Sequence, residues 1–418
     1  MNSFQNWSTK IFYISCLLIV AGMMLIDVAR AIASMGMILM AVSGIIYTST
    51  NWKSCKSKSG IEYFALIGIF IMLLPSFFYS ENKDYLFERW QIALPFLILP
   101  IIWMKGPFLQ LKETFSIYAF FLVCVSLVAI HAFVFYLLHL DAVNELYLHS
   151  QVMPTLVTHH PTFSLMTAFG TFIGWTLFNE SFHFKYPKPE KYLWAILALF
   201  LFIFTHVFSV RIGLLALYGL IFLQVFIYII KKKQVLNGLI ALFVILGTGA
   251  GILFLSPTFS NKIINTNEDL EAMKSEGSAN NKSLASRMIS YKNAFQITKQ
   301  TSWLIGCGLG DIRDLNTQIF REKYPDVTKP IIPHNQFLYL LAATGILGFL
   351  MFLILWIFPL WKFKKIAHPF LWGIYTLMLL AFQVEAVLET QLGVAFCIFF
   401  ILLGIQTTIT CQKQTNIN

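Results

Sequence analysis

The sequence predicts an all-α polytopic membrane protein with about twelve transmembrane helices and one long loop that bears amphipathic helices. Of its 418 residues, 57% are hydrophobic and only 12% are charged, and the mean hydropathy is +0.71. Soluble domains carry about 25% charged residues, so an ordinary soluble protein is excluded. Apolar runs of the roughly 17–25 residues needed to cross hydrocarbon recur along the whole chain.

Twelve apolar runs are long enough to be considered as spans. The run at 90–104 is short and contains Pro95 and Pro100, so we expect it to tilt, kink or be partly re-entrant. The predicted spans are 11–29, 31–50, 61–80, 90–104, 114–139, 160–179, 191–210, 212–230, 236–256, 333–360, 366–384 and 392–411.

The basic residues predict the orientation. With the N-terminus in the cytoplasm, the inside segments carry sixteen lysines and the short outside loops only four basic residues. The long loop 257–332 holds the other ten, but loops of that length do not determine topology. We therefore expect cytoplasmic N- and C-termini and an outside loop. The net charge of +10 follows from this asymmetry, and we expect no nucleic-acid partner because no water-exposed basic patch with interleaved aromatics occurs.

The predicted organisation is one membrane domain with one insertion: helices 1–9 in residues 1–256, the loop in 257–332 and helices 10–12 in 333–418. A polar stretch, NTNEDLEAMKSEGSANNKS, opens the loop, and we expect it to be mobile. SLASRMISYKNAFQITKQ, with Ser283 as N-cap, and DIRDLNTQIFREKYP are predicted amphipathic helices. The predicted apolar faces are Leu284, Met288, Tyr291 and Phe295 in the first, and Ile312, Leu315, Ile319 and Phe320 in the second.

The six cysteines form no disulfide framework, because only Cys307 is expected outside. There is no CxxC and no His/Cys metal-ligand spacing, so we predict neither a metal site nor a cofactor. WLIGCGLGD contains Gly306, Gly308 and Gly310, but no strand precedes it and no βαβ unit surrounds it. We interpret it as a tight turn that exposes backbone N–H groups.

Titratable side chains gather at the predicted outer ends of the spans. The span centres are almost free of charge, which argues against a proton- or sodium-driven transporter with carboxylates near the midplane. We therefore predict a site that is reached from outside and acts on a membrane-anchored molecule. The residues at this depth are His159, His160, His206, Arg211, Arg287, His334, Asn335, Glu385 and Glu389.

His334 is the candidate general base. Pro333 suits a first helical position, which places His334 and Asn335 in the first turn of the tenth span. A helix N-terminus disfavours a cation, so we expect His334 to be neutral at pH 7 and able to accept a proton. The same helix end favours a phosphate. The alternative is that both residues merely cap a helix at the interface.

Two arginines are candidates for binding phosphate. Arg211 lies between two apolar runs, where a bidentate grip on phosphate oxygens and simple snorkelling are both possible. Arg287 lies on the predicted helix 283–300, and its alternative is an ordinary solvated face. Arg313 and Arg321 are weaker candidates, and their role stays open.

The other candidates have equally plain alternatives. His159 and His160 precede Pro161, where they can serve as a polar cap. Glu385 and Glu389 are one helical turn apart, so we expect both on one face, pairing with arginines or binding hydroxyls. Two such carboxylates also suit a glycosidase, although a hydrolase fits an interfacial site poorly.

Several motifs resemble the bacterial O-antigen ligase/polymerase family over roughly residues 155–405. HNQFLYLLAATGILG, from His334 to Gly348, matches the pattern HNxxLxxLxxxGxxG that follows a long outside loop. FSVRIGLLAL resembles the family's serine-arginine motif, with Ser209 and Arg211 matching. The remaining similar segments are SRMISYKNAFQITKQTSWLIGCGLGD with Arg287, VEAVLETQLG with Glu385, Glu389 and Gly393, and HHPTF with Phe163 in place of tyrosine.

The resemblance implies a metal-independent, inverting glycosyltransferase of the GT-C-like class, with a periplasmic loop, in the bacterial inner membrane. It would transfer a glycan from undecaprenyl diphosphate to lipid A-core or another glycan acceptor during lipopolysaccharide biosynthesis, among membrane lipids. His334 would deprotonate the acceptor, and Arg211 and Arg287 would bind the diphosphate. The supporting or acceptor-binding residues would be Asn335, His159, His160, Glu385 and Glu389.

Other functions remain open from the sequence. A polymerase of the same family would join donor chains to one another, and the single long loop favours a ligase over it. A lipid-linked glycan flippase would need a cationic cavity that reaches the cytoplasmic half. A non-catalytic scaffold would tolerate the loss of Arg211 and His334.

Overall fold

The computed structural model describes residues 3–50, 60–149, 151–274, 283–323 and 332–415. The protein is nearly all helical, and these ranges contain no β-strand. The α-helices of the described residues, α1 to α17 in chain order, are Ser3–Met24, Ala31–Thr50, Ile61–Ile71, Lys83–Ala93, Pro95–Lys105, Leu111–Leu138, Leu140–Leu148, His160–Asn179, Pro187–Phe208, Arg211–Lys232, Val235–Leu255, Pro257–Lys274, Ser283–Gln300, Ile312–Lys323, Gln336–Phe363, Pro369–Phe382 and Gln391–Thr415.

Ten helical segments among the described residues are long and apolar enough to cross a membrane, and they correspond to ten of the twelve predicted spans. The other two predicted spans are also helices. α8 has 20 residues but is rich in threonine, and α16 is apolar but has only 14 residues. The prediction of an all-α polytopic membrane protein is confirmed.

The fourth span is longer than the predicted 90–104. α4 and α5 continue each other across Leu94, so that the segment runs from Lys83 to Lys105. Pro95 stands at the first position of α5 and has no N–H to donate, which accounts for the break. The additional turns bring Arg89 into the bundle, where it is buried.

α17 is the central helix, and 94% of the residues in its most apolar stretch are buried. Its Phe400 ring packs edge to face against two neighbouring helices, 4.7 Å from Phe121 of α6 and 5.2 Å from Phe169 of α8. Such aromatic pairs stabilise by about 0.5–1.5 kcal/mol beyond the burial of their area. This packing fixes the middle of α17 against α6 and α8.

α8 and α10 run parallel to each other. Gly213, near the start of α10, approaches Ser164 so closely that an added Cβ would lie 2.6 Å from the serine Cβ. Further along, the Gln224 amide donates to the Thr176 hydroxyl at 2.8 Å. Small residues allow such an approach. The N-termini of both helices therefore lie at one end of the bundle, which we call the site end.

α15 is broken at Gly345, which has φ +65° and ψ −173°. The segment after α13 fills the break: the N–H groups of Cys307 and Gly308 donate to the carbonyls of Ala342 and Ala343, each at 2.9 Å. In return, Ile346 N–H donates to the Trp303 carbonyl at 2.9 Å. The expected tight turn is present, with the Gly306 N–H donating to the Ser302 carbonyl at 2.7 Å. The expectation that its N–H groups are exposed is wrong, because the helix break uses those of Cys307 and Gly308.

The close contact explains two glycines. A Cβ on Gly306 would lie 2.5 Å from the Ala343 carbonyl carbon, and one on Gly345 would lie 2.3 Å from the Leu304 carbonyl carbon. Both residues have positive φ, which favours glycine. Gly345 of the tenth predicted span thus admits a backbone segment into the helix.

The long insertion begins with α12 at Pro257. The polar stretch that was expected to be mobile is therefore helical up to Lys274, and 275–282 lie outside the described residues. α12 rests on α7, where the side-chain amides of Asn261 and Asn265 donate to the carbonyls of Asn144 and Leu148, at 2.8 and 2.9 Å.

The predicted helix 283–300 is present as α13, but it buries a different face. Met288 is 40% exposed and Phe295 is 51% exposed, although both were expected on the buried apolar face. Among residues 287–300 the buried ones are Ser290, Asn293, Ala294 and Ile297. The side chain of Leu284, also expected on the apolar face, lies outside the described residues. In α14 the expected face is buried at Ile312, Ile319 and Phe320.

Candidate active site

His334 is held by its backbone before α15 begins. Its N–H donates to the Ser290 hydroxyl at 3.3 Å, and its carbonyl accepts from the Tyr291 hydroxyl at 3.0 Å. Both partners belong to α13, so this loop helix fixes where the imidazole is presented. The side chain of His334 is 33% exposed, which leaves it accessible to a ligand.

Glu385 joins His334 to Arg287. Its Oε1 lies 3.1 Å from His334 Nδ1, and its Oε2 lies 3.4 Å from an Arg287 Nη2. The carboxylate is 9% exposed and the guanidinium 20% exposed. Nε2 of His334 has no hydrogen-bond partner within the described part of the chain. An ionised Glu385 selects the tautomer with hydrogen on Nδ1, which leaves Nε2 as the acceptor.

The pKa of Glu385 is lowered. Burial alone would raise it, but the hydrogen bond from His334 and the charges of His334 and Arg287 outweigh burial. The carboxylate is therefore ionised near neutral pH. A negative charge beside Nδ1 stabilises the imidazolium that would form when Nε2 takes a proton.

His159 lies close enough to Glu385 and His334 for their charges to affect its pKa. It is the N-cap of α8, where Nδ1 accepts from the Thr162 N–H at 3.3 Å and lies 2.8 Å from its hydroxyl. Burial lowers the pKa of His159, Glu385 partly opposes this, and His334 adds to the lowering. The neighbouring His160 contacts the Phe208 ring, 6.1 Å between centroids.

Asn335, rather than His334, caps α15. Its side-chain oxygen accepts from the N–H groups of Phe337 and Leu338 at 2.9 and 3.0 Å, and its amide donates to the Gln383 carbonyl at 2.7 Å. α15 begins at Gln336, so the placement of His334 in the first helical turn is wrong. Two of the N–H groups that were expected to favour a phosphate are used by the cap.

Arg211 is the first residue of α10. Its guanidinium donates to the hydroxyl of Thr266 on α12. The described contacts thus join Arg211 to α12, whereas Arg287 contacts Glu385 directly. Arg211 and His159 begin the parallel helices α10 and α8, so both lie at the site end.

Glu389 belongs to a separate buried cluster. Its Oε2 lies 3.3 Å from Arg89 Nη1, which also donates to its carbonyl at 2.7 Å. Its Oε1 accepts from Gln336 at 3.1 Å. The expectation that Glu385 and Glu389 share one helical face is wrong, because the chain between them ends in a short 3₁₀ helix, Val387–Glu389.

The weaker candidate Arg313 contacts α4, and no described contact joins it to His334. The Arg313 guanidinium stacks over the Tyr85 ring at 3.9 Å and lies 4.0 Å from Glu88. Arg321 is exposed near the end of α14. Within the described ranges, no group of three or more His, Cys, Asp or Glu side chains is placed to hold a metal ion.

Four contributors at the site end escaped the sequence analysis: Ser290, Tyr291, Arg89 and Gln336. Arg89 had been assigned to an outside loop, because the fourth span was expected to begin at residue 90. Gln336, two residues after His334, was a usable signal in the sequence, because a glutamine inside a predicted span requires hydrogen-bond partners. In the structure Gln336 is 0% exposed.

The fold and the site define an all-α polytopic membrane protein whose histidine, glutamate and arginine meet at one end of the bundle. Residues 193–353, less than half of the chain, match the family model described as O-antigen ligase, so this segment is similar to that family. The matched segment contains Arg211, Arg287 and His334, while Glu385 and Glu389 lie beyond it. No curated protein matches the chain. The family supports an O-antigen ligase- or polymerase-like function.

Proposed function

We propose that the chain is a ligase-type glycosyltransferase that moves a glycan from undecaprenyl diphosphate to lipid A-core or another glycan acceptor. In this proposal it works in the bacterial inner membrane, with cytoplasmic termini and the site end facing the periplasm. The asymmetry of basic residues supports that orientation.

The contact between His334, Glu385 and Arg287 is the observation that carries the proposal. A half-buried imidazole has one nitrogen fixed by a buried carboxylate and the other available. That is the arrangement a general base requires. A guanidinium in the same group supplies a positive charge for an anionic leaving group.

The chemical step is a displacement at the anomeric carbon. The acceptor hydroxyl oxygen forms the new C–O bond as the bond from the anomeric carbon to the diphosphate oxygen breaks. The hydroxyl proton passes to His334 Nε2, and the bonding electrons leave with undecaprenyl diphosphate. Attack opposite the leaving group inverts the configuration. General base catalysis of this kind contributes about 10²–10⁴-fold.

Arg287 and Arg211 neutralise the charge on the departing diphosphate. Such preorganised charges supply several kcal/mol to a transition state, and guanidinium groups bind phosphate oxygens in a bidentate way. Arg211 also donates to the Thr266 hydroxyl of α12, which holds its guanidinium at the site end. We assign His159, His160 and Asn335 to the support or binding of the acceptor.

Reconstitution of the full chain in liposomes tests the function. With lipid-linked donor and lipid A-core, a new covalent product identifies a ligase. Ladders formed from donor alone identify a polymerase. Movement of donor across the bilayer without a new bond identifies a flippase and contradicts the proposal.

A further inference from the structure

The loop that carries Glu385 is attached at both ends to residues that directly follow His334. At its start, the Asn335 amide donates to the Gln383 carbonyl at 2.7 Å. At its end, the Gln336 side chain accepts from the Leu388 N–H at 2.8 Å and donates to Glu389 at 3.1 Å. The distance between Glu385 and His334 therefore depends on how firmly Glu389 is held.

Arg89 holds Glu389 through both its carbonyl and its carboxylate. The second Nη of Arg89 pairs with Glu88 at 2.7 Å, and Tyr85 lies under its guanidinium at 4.8 Å. Arg313 stacks on the same Tyr85 ring. The cluster thus links α4 and α14 to the start of α15 and to the Glu385 loop.

Burial decides what this cluster can do. The side chains of Arg89 and Glu389 are each 8% exposed, and Gln336 is fully buried. The cavity beside them measures about 30 Å³, which admits roughly one water molecule and no saccharide. Glu389 cannot reach an acceptor hydroxyl from this position.

The pair also has an energetic reason to resist movement. Removing one partner of a buried ion pair leaves an uncompensated charge, which costs about 3–5 kcal/mol. The cluster is therefore either fully formed or strongly destabilised. A loop tied to such a cluster keeps Glu385 within hydrogen-bond reach of His334 instead of letting it swing toward solvent.

We propose that Arg89, Glu389 and Gln336 are positioning residues that set the Glu385 carboxylate against His334. This inference rests on the proposed transferase function, and of the two roles expected for Glu389 it selects support over binding of the acceptor. The cluster touches neither donor nor acceptor; it acts through Glu385.

The test uses the full chain in proteoliposomes with lipid-linked donor and lipid A-core. In Glu389→Gln, kcat falls about 10- to 100-fold, the cost of misplacing a reacting group by about 1 Å, while both KM values stay near those of the wild type. In the double variant Arg89→Met/Glu389→Gln no buried charge is left unpaired, because Glu88, the other partner of Arg89, is 52% exposed. Its thermal stability therefore exceeds that of Glu389→Gln while kcat stays low.

The chain offers a matched control at the opposite end of α15. Lys362 pairs there with Glu62, whose side chain is 3% exposed. Glu62→Gln/Lys362→Met removes an ion pair with a buried carboxylate and a 29% exposed lysine, at the end of α15 opposite His334, and it keeps the wild-type kcat. An equal loss of kcat in this control, or a wild-type kcat in Arg89→Met/Glu389→Gln, overturns the inference. An acceptor KM that rises in Glu389→Gln with unchanged kcat also overturns it.

A second readout does not depend on transfer. Diethyl pyrocarbonate modifies imidazole nitrogens, and mass spectrometry follows its reaction at His334 alone. We expect faster modification of His334 in Arg89→Met/Glu389→Gln than in the wild type, and no change in the Glu62/Lys362 control. Absence of product from wild-type protein contradicts the proposed function, whereas equal modification rates in all three proteins contradict the positioning role.

Discussion

Glu385 and Glu389 belong to the same short loop, and each pairs with an arginine, yet their surroundings differ. The partners of Glu385 are open to a ligand: His334 is 33% exposed and Arg287 is 20% exposed. The partners of Glu389 are closed: Arg89 is 8% exposed and Gln336 is buried completely. The same carboxylate–guanidinium chemistry therefore gives a candidate reaction centre in one place and a structural clamp in the other.

The difference shows that exposure of the partners separates reaction from support. A buried and fully paired carboxylate has no remaining capacity for a ligand. A buried carboxylate whose partner presents a free nitrogen to solvent can take part in proton transfer. The contrast between the two glutamates therefore predicts different responses to substitution, to lysine replacement and to acid.

Substituting the two glutamates separately has the largest expected effect. Glu385→Gln keeps the shape but cannot balance an imidazolium, so kcat falls about 10²- to 10⁴-fold, as for the equivalent loss in a catalytic triad. In Glu389→Gln, kcat falls less, because Glu389 acts only through Glu385. Initial transfer rates in proteoliposomes, normalised to folded protein, check the order. A larger loss in Glu389→Gln than in Glu385→Gln would reverse the assignment.

The two arginines should respond differently to lysine. Arg287→Lys keeps the charge but loses the bidentate geometry, so kcat/KM for the lipid-linked donor drops about tenfold or more. Arg89→Lys leaves the donor KM unchanged, because Arg89 is closed off from the donor. Titration of donor at saturating acceptor measures both. A rise of the donor KM in Arg89→Lys would place Arg89 in the binding site.

Both clusters depend on α15, so its break is the next point to test. Gly345→Ala puts a Cβ 2.3 Å from the Leu304 carbonyl carbon at φ +65°, and it should lower the free energy of unfolding by about 1–3 kcal/mol. Gly251→Ala on α11 is the control, because nothing lies within 4 Å of its Cβ. Thermal unfolding in detergent distinguishes them. Equal stability of the two variants would show that the break needs no glycine.

Acid stability gives the smallest effect. Because the pKa of Glu385 is lowered in the folded protein, its contribution is fully present above the ordinary glutamate value of about 4.3. It is lost as the pH falls through the lower folded value, since the unfolded chain then binds the extra proton. Melting temperatures of wild type and Glu385→Gln from pH 7 to pH 3 should therefore converge in acid. Curves that stay parallel would remove this linkage.

Apolar length and the low fraction of charged residues were sufficient to predict the membrane fold, because the lipid core imposes both. Helix α13 was predicted from its N-cap Ser283 to Gln300, but its buried face was not. Spacing alone cannot distinguish a side covered by protein from an apolar side left exposed, and Phe295 is on the exposed side. The break at Gly345 was missed for a related reason, since a glycine serves helix packing and backbone insertion equally well.

The candidate site was only partly predictable. Titratable residues at one depth indicated His334, Glu385 and Arg287, and the structure brings these three into contact. The spacing of Glu385 and Glu389 suggested a shared helical face, which the irregular loop between α16 and α17 does not provide. Arg89 lies outside the predicted fourth span, which begins at residue 90, whereas the observed span begins at Lys83. Its ion pair with the buried Glu389 was therefore not predicted.

Single-turnover transfer by His334→Ala shows most directly whether His334 is the general base. Wild type, His334→Ala and Arg211→Ala are reconstituted at equal folded amounts with labelled lipid-linked donor and acceptor. Loss of the base should slow product formation at least about 100-fold, and unconsumed donor should remain in both variants. Product formed by His334→Ala at the wild-type rate would contradict the account.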